Sequence, residues 1–147
     1  MKTILVPIDF SDVTARVIAT AVEMSQAFGG KMILLHVFPP DPAFLGYEAG
    51  PINVRDNVER DFAAEQKRLE ELKATIDGVS RENIELRHIE GPTTDRILDI
   101  AEDENAGLIV IGSHSHTSIY EMLVGSVTHG VQRHARCPVV VVPAVKR

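Results

Sequence analysis

Residues 108–127 read Leu108-Ile-Val-Ile-Gly112-Ser-His-Ser-His-Thr-Ser-Ile-Tyr-Glu-Met-Leu-Val-Gly125-Ser126-Val127. The four apolar residues at the start are typical of a strand that is covered on both faces, as in a parallel sheet. The glycines bound a loop, and the backbone amides where the following helix begins can surround an anion. This stretch therefore predicts a strand, a phosphate-binding loop and a helix, in that order.

Apolar runs alternate with helical patterns along the whole chain. Strands are predicted at residues 3–8, 32–38, 83–89, 108–111 and 138–142, and the alternating polarity of the third places it near an edge. Helices are predicted from Ser11 to Phe28, over residues 55–76, between Thr93 and Gly107, and over residues 126–134. Five strands joined by helical crossovers require a mainly parallel sheet with helices on both faces, which is the doubly wound α/β architecture.

The helix predictions rest on caps and on apolar spacing. Ser11 is the expected capping residue of the first helix and Gly29-Gly30 its end, and Gly107 is expected to end the third helix. The apolar face of the first helix is predicted to contain Val13, Val17, Ala21, Met24 and Phe28. Residues 39–54, rich in proline and glycine, are interpreted as a long mobile connection and a possible lid.

Composition restricts the class of protein. A chain of 147 residues is long enough for one domain with a substantial core, so a single domain over residues 1–147 is expected. No apolar run approaches the length of a membrane span, and no secretory signal is recognised at the amino end, so a cytoplasmic location is expected. The net charge of -6 argues against general affinity for nucleic acid. The single cysteine, Cys137, is interpreted as a core residue.

Two loops are expected to form one ligand crevice. In open parallel sheets, ligands bind at the carboxyl ends of the strands where the strand order reverses. With the order 3-2-1-4-5, the loop after the first strand, which contains Asp9, lies beside the loop after the fourth, which contains Gly112. Asp9 has two compatible interpretations, as a ligand-facing residue and as a cap of the first helix.

Three motifs together resemble the universal stress protein family, and the likeness covers essentially the whole chain. They are Val6-Pro7-Ile8-Asp9-Phe10-Ser11, Leu35-His36-Val37, and the stretch from Gly112 to Val127. The nucleotide-binding pattern of that family is glycine, two residues, glycine, nine residues, glycine, then serine or threonine. Here the spacing is intact, but Ser115 stands in place of the second glycine. The resemblance implies an adenine nucleotide alpha hydrolase-like fold.

The resemblance also implies a site for ATP or another adenine nucleotide, with magnesium or manganese bound through the phosphates. Val37 would bind the adenine through its backbone, and Pro7 and Asp9 would line the adenosine side. The ribose and phosphates would be held by Gly112, Ser113, His114, Ser115, Gly125, Ser126, Val127 and Thr128. For Gly112 and Gly125, the missing side chain permits close approach of a ligand and a positive φ. Ser126 is expected both to cap its helix and to contact phosphate.

Histidine side chains can bind metals or act as catalysts, so their positions in the chain bear on both functions. His114, His116 and His129 do not form a closed ligand set, so no metal site is predicted within the protein. His36, inside an apolar strand, is interpreted as a packed, hydrogen-bonded core residue. No catalytic residues are predicted, because the chain has neither a Walker loop nor a nucleophile elbow. An enzyme is therefore not expected, although slow ATP hydrolysis with Asp9 or His114 orienting water stays open.

Two functional classes remain from this reasoning. The first is an ATP-binding regulatory or stress-protective protein. The second is a dimeric interaction protein of the same fold that binds no nucleotide, an alternative that the serine at position 115 keeps open. A homodimer through the apolar fifth strand is expected in both classes. The other explanation for that strand is that residues 144–147 cover it.

Overall fold

The computed structural model describes residues 2–38, 52–113 and 125–144, with side chains described from residue 59 onward in the second range. The strands are β1 (Thr3–Pro7), β2 (Lys31–Phe38), β3 (Ile84–Glu90), β4 (Ala106–Ser113) and β5 (Val139–Pro143). The helices are α1 (Thr14–Phe28), α2 (Ile52–Ala74), α3 (Thr93–Asp103) and α4 (Ser126–His134), with a short 3-10 turn at Arg81–Asn83.

The five strands form one parallel sheet in the order β3-β2-β1-β4-β5, as predicted. β3 and β5 are the edges. The first crossover places β2 beside β1 on one side, and the later crossover through α3 places β4 on the other side of β1. The strand order therefore reverses between β1 and β4, at the centre of the sheet.

Helices cover both faces of this sheet and enclose two hydrophobic clusters. On one face, α1 and α2 pack against alternate residues of the central strands, with Ile4, Val17 and Leu69 fully or almost fully buried. On the opposite face, α3 and α4 bury Ile97 and Val131 against the other set of strand residues. Because successive strand residues point to opposite faces, a strand covered on both sides must be apolar at consecutive positions. This requirement explains the unbroken apolar runs.

The start of α1 differs from its prediction. The helix begins at Thr14 rather than after a capping Ser11, and the carbonyl of Ser11 instead accepts the Thr14 N–H in the turn that precedes it. The end is as predicted, because Gly29 has a φ of 70° and its N–H donates to the carbonyl of Ser25. Phe28 was placed on the buried face but is 54% exposed, with the Lys2 ammonium over its ring.

The glycines of the fourth strand were also misplaced by the sequence patterns. Gly107 was predicted to end the third helix, but α3 ends at Asp103 and Asn105 makes the turn with a φ of 50°. Gly107 and Gly112 both lie within β4. A Cβ at Gly107 would lie 3.1 Å from side-chain carbons of Lys2, so this glycine sits in a tight packing contact rather than at a helix end.

The connection between β2 and α2 is shorter than predicted. Residues 52–54 were assigned to the loop but belong to α2, which begins at Ile52. Residues 39–51, which contain the rest of this predicted connection and possible lid, lie outside the described residues. Within the described part of the chain, no helix is both long enough and apolar enough to cross a membrane.

Candidate functional site

A candidate cleft is placed between the carboxyl ends of β1 and β4, because the pairing of these strands stops before either strand ends. The register between these strands ends at Leu5 and Ile109, whereas β1 continues to Pro7 and β4 continues to Ser113. β2 pairs with β1 up to Pro7, and β5 pairs with β4 up to Ser113, so each strand stays held on its outer side. The cleft lies where the strand order reverses, which is the usual position of a ligand in sheets of this class.

The backbone of Val37 faces this cleft. The carbonyl of Leu35 accepts the N–H of Ile8 at 2.8 Å, so the backbone groups of Leu35 face β1. Alternate residues of a strand direct their backbone groups to the same side, and the N–H and C=O of Val37 therefore do so too. Since β1 ends at Pro7, opposite Leu35, these groups lie beyond its last residue. They are suited to hydrogen bonding with the edge of a planar base.

The first turn of α4 supplies amides for an anion. The N–H of His129 donates to the carbonyl of Gly125 at 2.9 Å, which is the first bond of the helix. By helix geometry, the preceding N–H groups of Ser126, Val127 and Thr128 have no acceptor within the helix, and the helix dipole makes this end positive. Ser126 was expected to cap the helix, but it is the first helical residue, and Gly125 takes the N-cap position with φ -48° and ψ 147°.

Gly112 and Gly125 do not have the positive φ that was expected of them. Among the described glycines, positive φ occurs at Gly29, Gly78 and Gly91. A Cβ at Gly112 would lie 2.6 Å from Val13 Cγ1, so the missing side chain makes room for α1. The close approach at Gly112 is therefore between α1 and β4.

Thr128 connects the two sides of the candidate phosphate region. Its hydroxyl donates to the carbonyl of Gly112 at 2.7 Å, and the residue is 4% exposed. The Thr128 hydroxyl hydrogen is therefore engaged by Gly112, whereas the backbone N–H of Thr128 is one of the first-turn amides that have no acceptor within the helix. Val127 packs against the core cluster formed by α3 and α4, and Ser126 is exposed.

Asp9 lies in the turn between β1 and α1, on the same side of the sheet as the cleft. Its Oδ1 accepts the N–H of Ser11 at 3.0 Å, so it stabilises this turn rather than the first turn of α1. Phe10 follows with a φ of 60°, and the Arg68 guanidinium stacks on its ring at 4.2 Å from the ring centre. The turn that contains Asp9 is therefore held by the hydrogen bond to Ser11 and by the packing of Phe10 against Arg68.

The structure describes nine of the predicted site residues, which lie at or just after the carboxyl ends of β1, β2 and β4, or at the start of α4. They are Pro7, Asp9, Val37, Gly112, Ser113, Gly125, Ser126, Val127 and Thr128. The predicted positions His114 and Ser115 lie outside the described residues, as does His116. At one end of such a cleft are the N–H and C=O of Val37, and at the other are the amides of the first turn of α4. This combination suits a ligand with a polar ring and an anionic group.

His36 is a buried, hydrogen-bonded strand residue, as predicted, and is 8% exposed. The sequence reasoning missed that two further polar residues, Glu65 and His88, lie beside it. The one local signal was His88, a polar residue on the same face of β3 as the apolar Ile84 and Leu86. Nothing local to Glu65 distinguishes it from the other acidic residues of α2.

Comparison with known proteins places this chain in a family. The family model described as "Universal stress protein family" matches residues 1–143. A curated universal stress protein of Thermus aquaticus is 34% identical over 141 residues, covering 96% of this chain and 98% of that protein.

Solved structures share the fold of this chain. The protein MJ0577 of Methanocaldococcus jannaschii has a TM-score of 0.78 at 27% identity, covering 99% of this chain and 98% of that one. A universal stress protein solved in complex with cAMP has a TM-score of 0.64 at 24% identity, covering 98% of both chains. With the family model spanning almost every residue, the chain belongs to the universal stress protein family.

Proposed function

We propose that this protein binds an adenine nucleotide, with ATP as the first candidate, in the cleft between β1 and β4. Binding would serve regulation or protection under stress rather than metabolism. The observation that carries the proposal is the end of the β1–β4 pairing at Leu5 and Ile109, with the first turn of α4 bonded through Thr128 to Gly112 near the end of β4.

The two ends of the cleft match the two ends of a nucleotide. The backbone of Val37 offers both a donor and an acceptor, as the edge of adenine requires. The N–H groups of Ser126, Val127 and Thr128 offer donors to phosphate oxygens at a positive helix end. Related proteins of this fold are described in complex with cAMP and with dAMP, which supports the choice of an adenine ligand.

The charges of a triphosphate would need a cation. No lysine or arginine occurs between Ser113 and Gln132, so the amides would act together with magnesium or manganese held by the phosphates. The same lack of a basic group leaves no side chain in this segment to stabilise the transition state of phosphoryl transfer. We therefore propose binding without significant turnover, in a cytoplasmic protein.

Isothermal titration of the dialysed protein with ATP and magnesium tests the proposal. A Gly125→Val variant places a branched side chain at the phosphate end, and its backbone conformation suits valine. Gln132→Val is the matched control, because residue 132 is exposed on the same helix but away from its first turn. Saturable binding that is lost in Gly125→Val and kept in Gln132→Val is expected. Absence of binding to the folded wild-type protein would contradict the nucleotide function.

A second candidate function, a dimeric interaction protein without nucleotide, is favoured by one observation. β5 is an edge strand of four valines followed by Pro143, and it pairs only on its β4 side within the described residues. The N–H of Ala144 donates to the Ser113 carbonyl, so at this residue the chain continues along β4 rather than folding back over the edge. Residues 145–147 lie outside the described residues. We propose that β5 pairs with its copy in a homodimer.

A further inference from the structure

Three polar side chains converge at the carboxyl end of β2 and β3, on the face covered by α2. His36 and His88 are register partners on these parallel strands, so their side chains point to the same face. Glu65 of α2 lies over the pair. The imidazole and carboxylate atoms of these three residues that could bind a metal ion all lie within 4.8 Å of one another.

Both imidazoles direct Nε2 toward the same carboxylate oxygen. His36 Nδ1 lies 2.8 Å from the carbonyl oxygen of Ile8, and His88 Nδ1 lies 3.2 Å from Oε1 of Gln66. Because these oxygens only accept, each Nδ1 must be the donor, and a neutral ring then has a lone pair on Nε2. His36 Nε2 contacts Glu65 Oε2, and His88 Nε2 lies 3.9 Å from that oxygen.

The arrangement leaves one buried nitrogen without a partner. The side chain of His88 is only 1% exposed, and no group among the described residues hydrogen-bonds its Nε2. Buried polar atoms without a partner are rare because they lose their hydration without compensation. As a simple ion pair, therefore, the cluster satisfies His36 and leaves His88 unsatisfied.

Aromatic rings hold both histidines in place. Phe62 stacks on His88 at 3.9 Å between ring centres and 9° between planes, and Phe10 packs against His36 at 4.8 Å. Burial, followed by the nearness of His36, keeps the pKa of His88 below its ordinary value, while the charge of Glu65 opposes this shift.

We propose that His36, Glu65 and His88 bind one divalent transition-metal ion, for which zinc is the reference. Two imidazole nitrogens and one carboxylate oxygen are a ligand set that zinc uses when a fourth position is left for water or another ligand. The mixed nitrogen and oxygen donors disfavour calcium and magnesium, which prefer oxygen alone. One ion would satisfy both Nε2 atoms and the carboxylate together.

The surroundings have the features of a metal-site support. Histidines that bind metals usually donate the other ring N–H to a carbonyl or carboxylate, as both rings do here to Ile8 and Gln66. Ligand atoms on a tetrahedral zinc ion are separated by roughly 3.3 Å, given bonds of about 2.0–2.2 Å. In the present structure Glu65 Oε2 is in direct contact with His36 Nε2, which is closer than two ligands of one zinc ion can be. The carboxylate must therefore move away from His36 to admit the ion. The Glu65 side chain is 21% exposed, so it has room to do so.

This site is separate from the cation expected on nucleotide phosphates. It contains protein ligands only and lies at the β2–β3 side of the sheet, whereas the amides of α4 lie beside β4. Its existence does not depend on nucleotide binding. The Ile8 carbonyl, which accepts the hydrogen bond of His36 Nδ1, belongs to the loop that continues to Asp9, so the two sites share one border.

Cobalt titration of the chelator-treated full chain tests the site, because Co²⁺ replaces zinc and its visible absorption reports the coordination number. The wild-type protein is expected to bind one Co²⁺ per chain, with zinc displacing it. Glu65→Gln and His88→Asn should each weaken binding by more than about 100-fold, since loss of mere supporting partners costs about 10- to 100-fold.

Matched controls separate this site from other metal-binding groups. Glu70→Gln makes the same chemical change at an exposed position of α2, and His134→Asn removes an exposed histidine of α4. Both should bind cobalt as the wild type does. Failure of the wild-type chain to bind cobalt saturably would overturn the proposal, whatever the folding of the variants. Equal affinities in wild type, Glu65→Gln and His88→Asn would also overturn it.

Discussion

The hydroxyl of Thr128 donates to the carbonyl of Gly112 at 2.7 Å and joins the first turn of α4 to the end of β4. The bond sets the position of the helix amides relative to the strand that borders the cleft. A single buried hydrogen bond thus connects the packing of the fold to the geometry of the candidate phosphate region.

Replacing Thr128 with valine should lower both stability and nucleotide affinity. The variant keeps the shape of the side chain but leaves the partly buried Gly112 carbonyl without its donor, which is expected to cost about 1–2 kcal/mol of unfolding free energy. Urea unfolding measures this loss. Thr75→Val is the control, because the exposed Thr75 hydroxyl donates to Leu72 in a solvated turn. Equal losses in both variants would contradict a special role for Thr128.

Gly112→Ala should destabilise the protein through a collision rather than through backbone strain. The new Cβ would lie 2.6 Å from Val13 Cγ1 and 3.1 Å from Val17 Cγ2, and overpacking of this kind costs about 1–3 kcal/mol. Truncation of Val13 to alanine in the same chain should recover part of the loss, as a double-mutant cycle by urea unfolding would measure. Strictly additive effects would show that the two residues do not collide.

Cys137 should react slowly with alkylating agents in the native protein. Burial raises the pKa of this thiol, so less of the reactive thiolate is present at a given pH than in the unfolded chain. Mass spectrometry of iodoacetamide labelling should show faster modification in urea than in buffer. The same shift means that stability is lost as the pH rises above the ordinary thiol value, because the unfolded state releases its proton first. Equal labelling rates in both states would disprove the shift.

Glu85 should contribute a small, pH-dependent amount of stability. The hydrogen bond from Arg87 lowers its pKa, burial opposes the shift, and Lys31 adds to the lowering. A lowered carboxyl pKa stabilises the fold above the ordinary value and loses this effect as the pH falls through the folded value.

Because the Glu85 side chain is 37% exposed, Glu85→Gln should cost at most about 0.5 kcal/mol at neutral pH. The difference from wild type should vanish in acid and shrink in high salt. Urea midpoints at several pH values measure it, with the exposed Glu82→Gln as control. A difference that grows toward low pH would have the wrong sign.

The proposed homodimer predicts a selective effect of proline in β5. The carbonyl of Pro138 and the N–H of Ala144 both bond to β4, so alternation turns the backbone of Val141 to the free edge. Val141→Pro removes an N–H on that edge while sparing the bonds to β4. Light scattering should give a dimer for wild type and a monomer for the folded variant. A monomeric wild-type mass at micromolar concentration would refute the dimer.

Much of the fold was predictable because its signals are local. The apolar runs and the glycine at position 29 depend on backbone geometry and burial, and the strands and the end of α1 were predicted from them. The errors fell where two local signals compete. Ser11 and Gly107 are both residue types that commonly mark helix ends. In the structure, Ser11 belongs to the turn formed with Asp9, and Gly107 lies in β4 beside the side chain of Lys2.

The residues of the candidate cleft stay a prediction, and the structure revises how several of them are held. The resemblance located Val37 and the glycines by motif, and the strand order was predicted together with the neighbouring positions of β1 and β4. The role of Gly112 in packing against Val13 was not visible, because Val13 is distant in the chain and meets β4 only when α1 crosses the sheet.

The sequence by itself determined the class of the fold and the family, since periodic burial and contiguous motifs are properties of neighbouring residues. Only the tertiary structure decided that His36, Glu65 and His88 meet. That meeting depends on the register of β2 against β3 and on how α2 lies across them. Such contacts arise from packing between distant segments, and no local pattern in the chain encodes them.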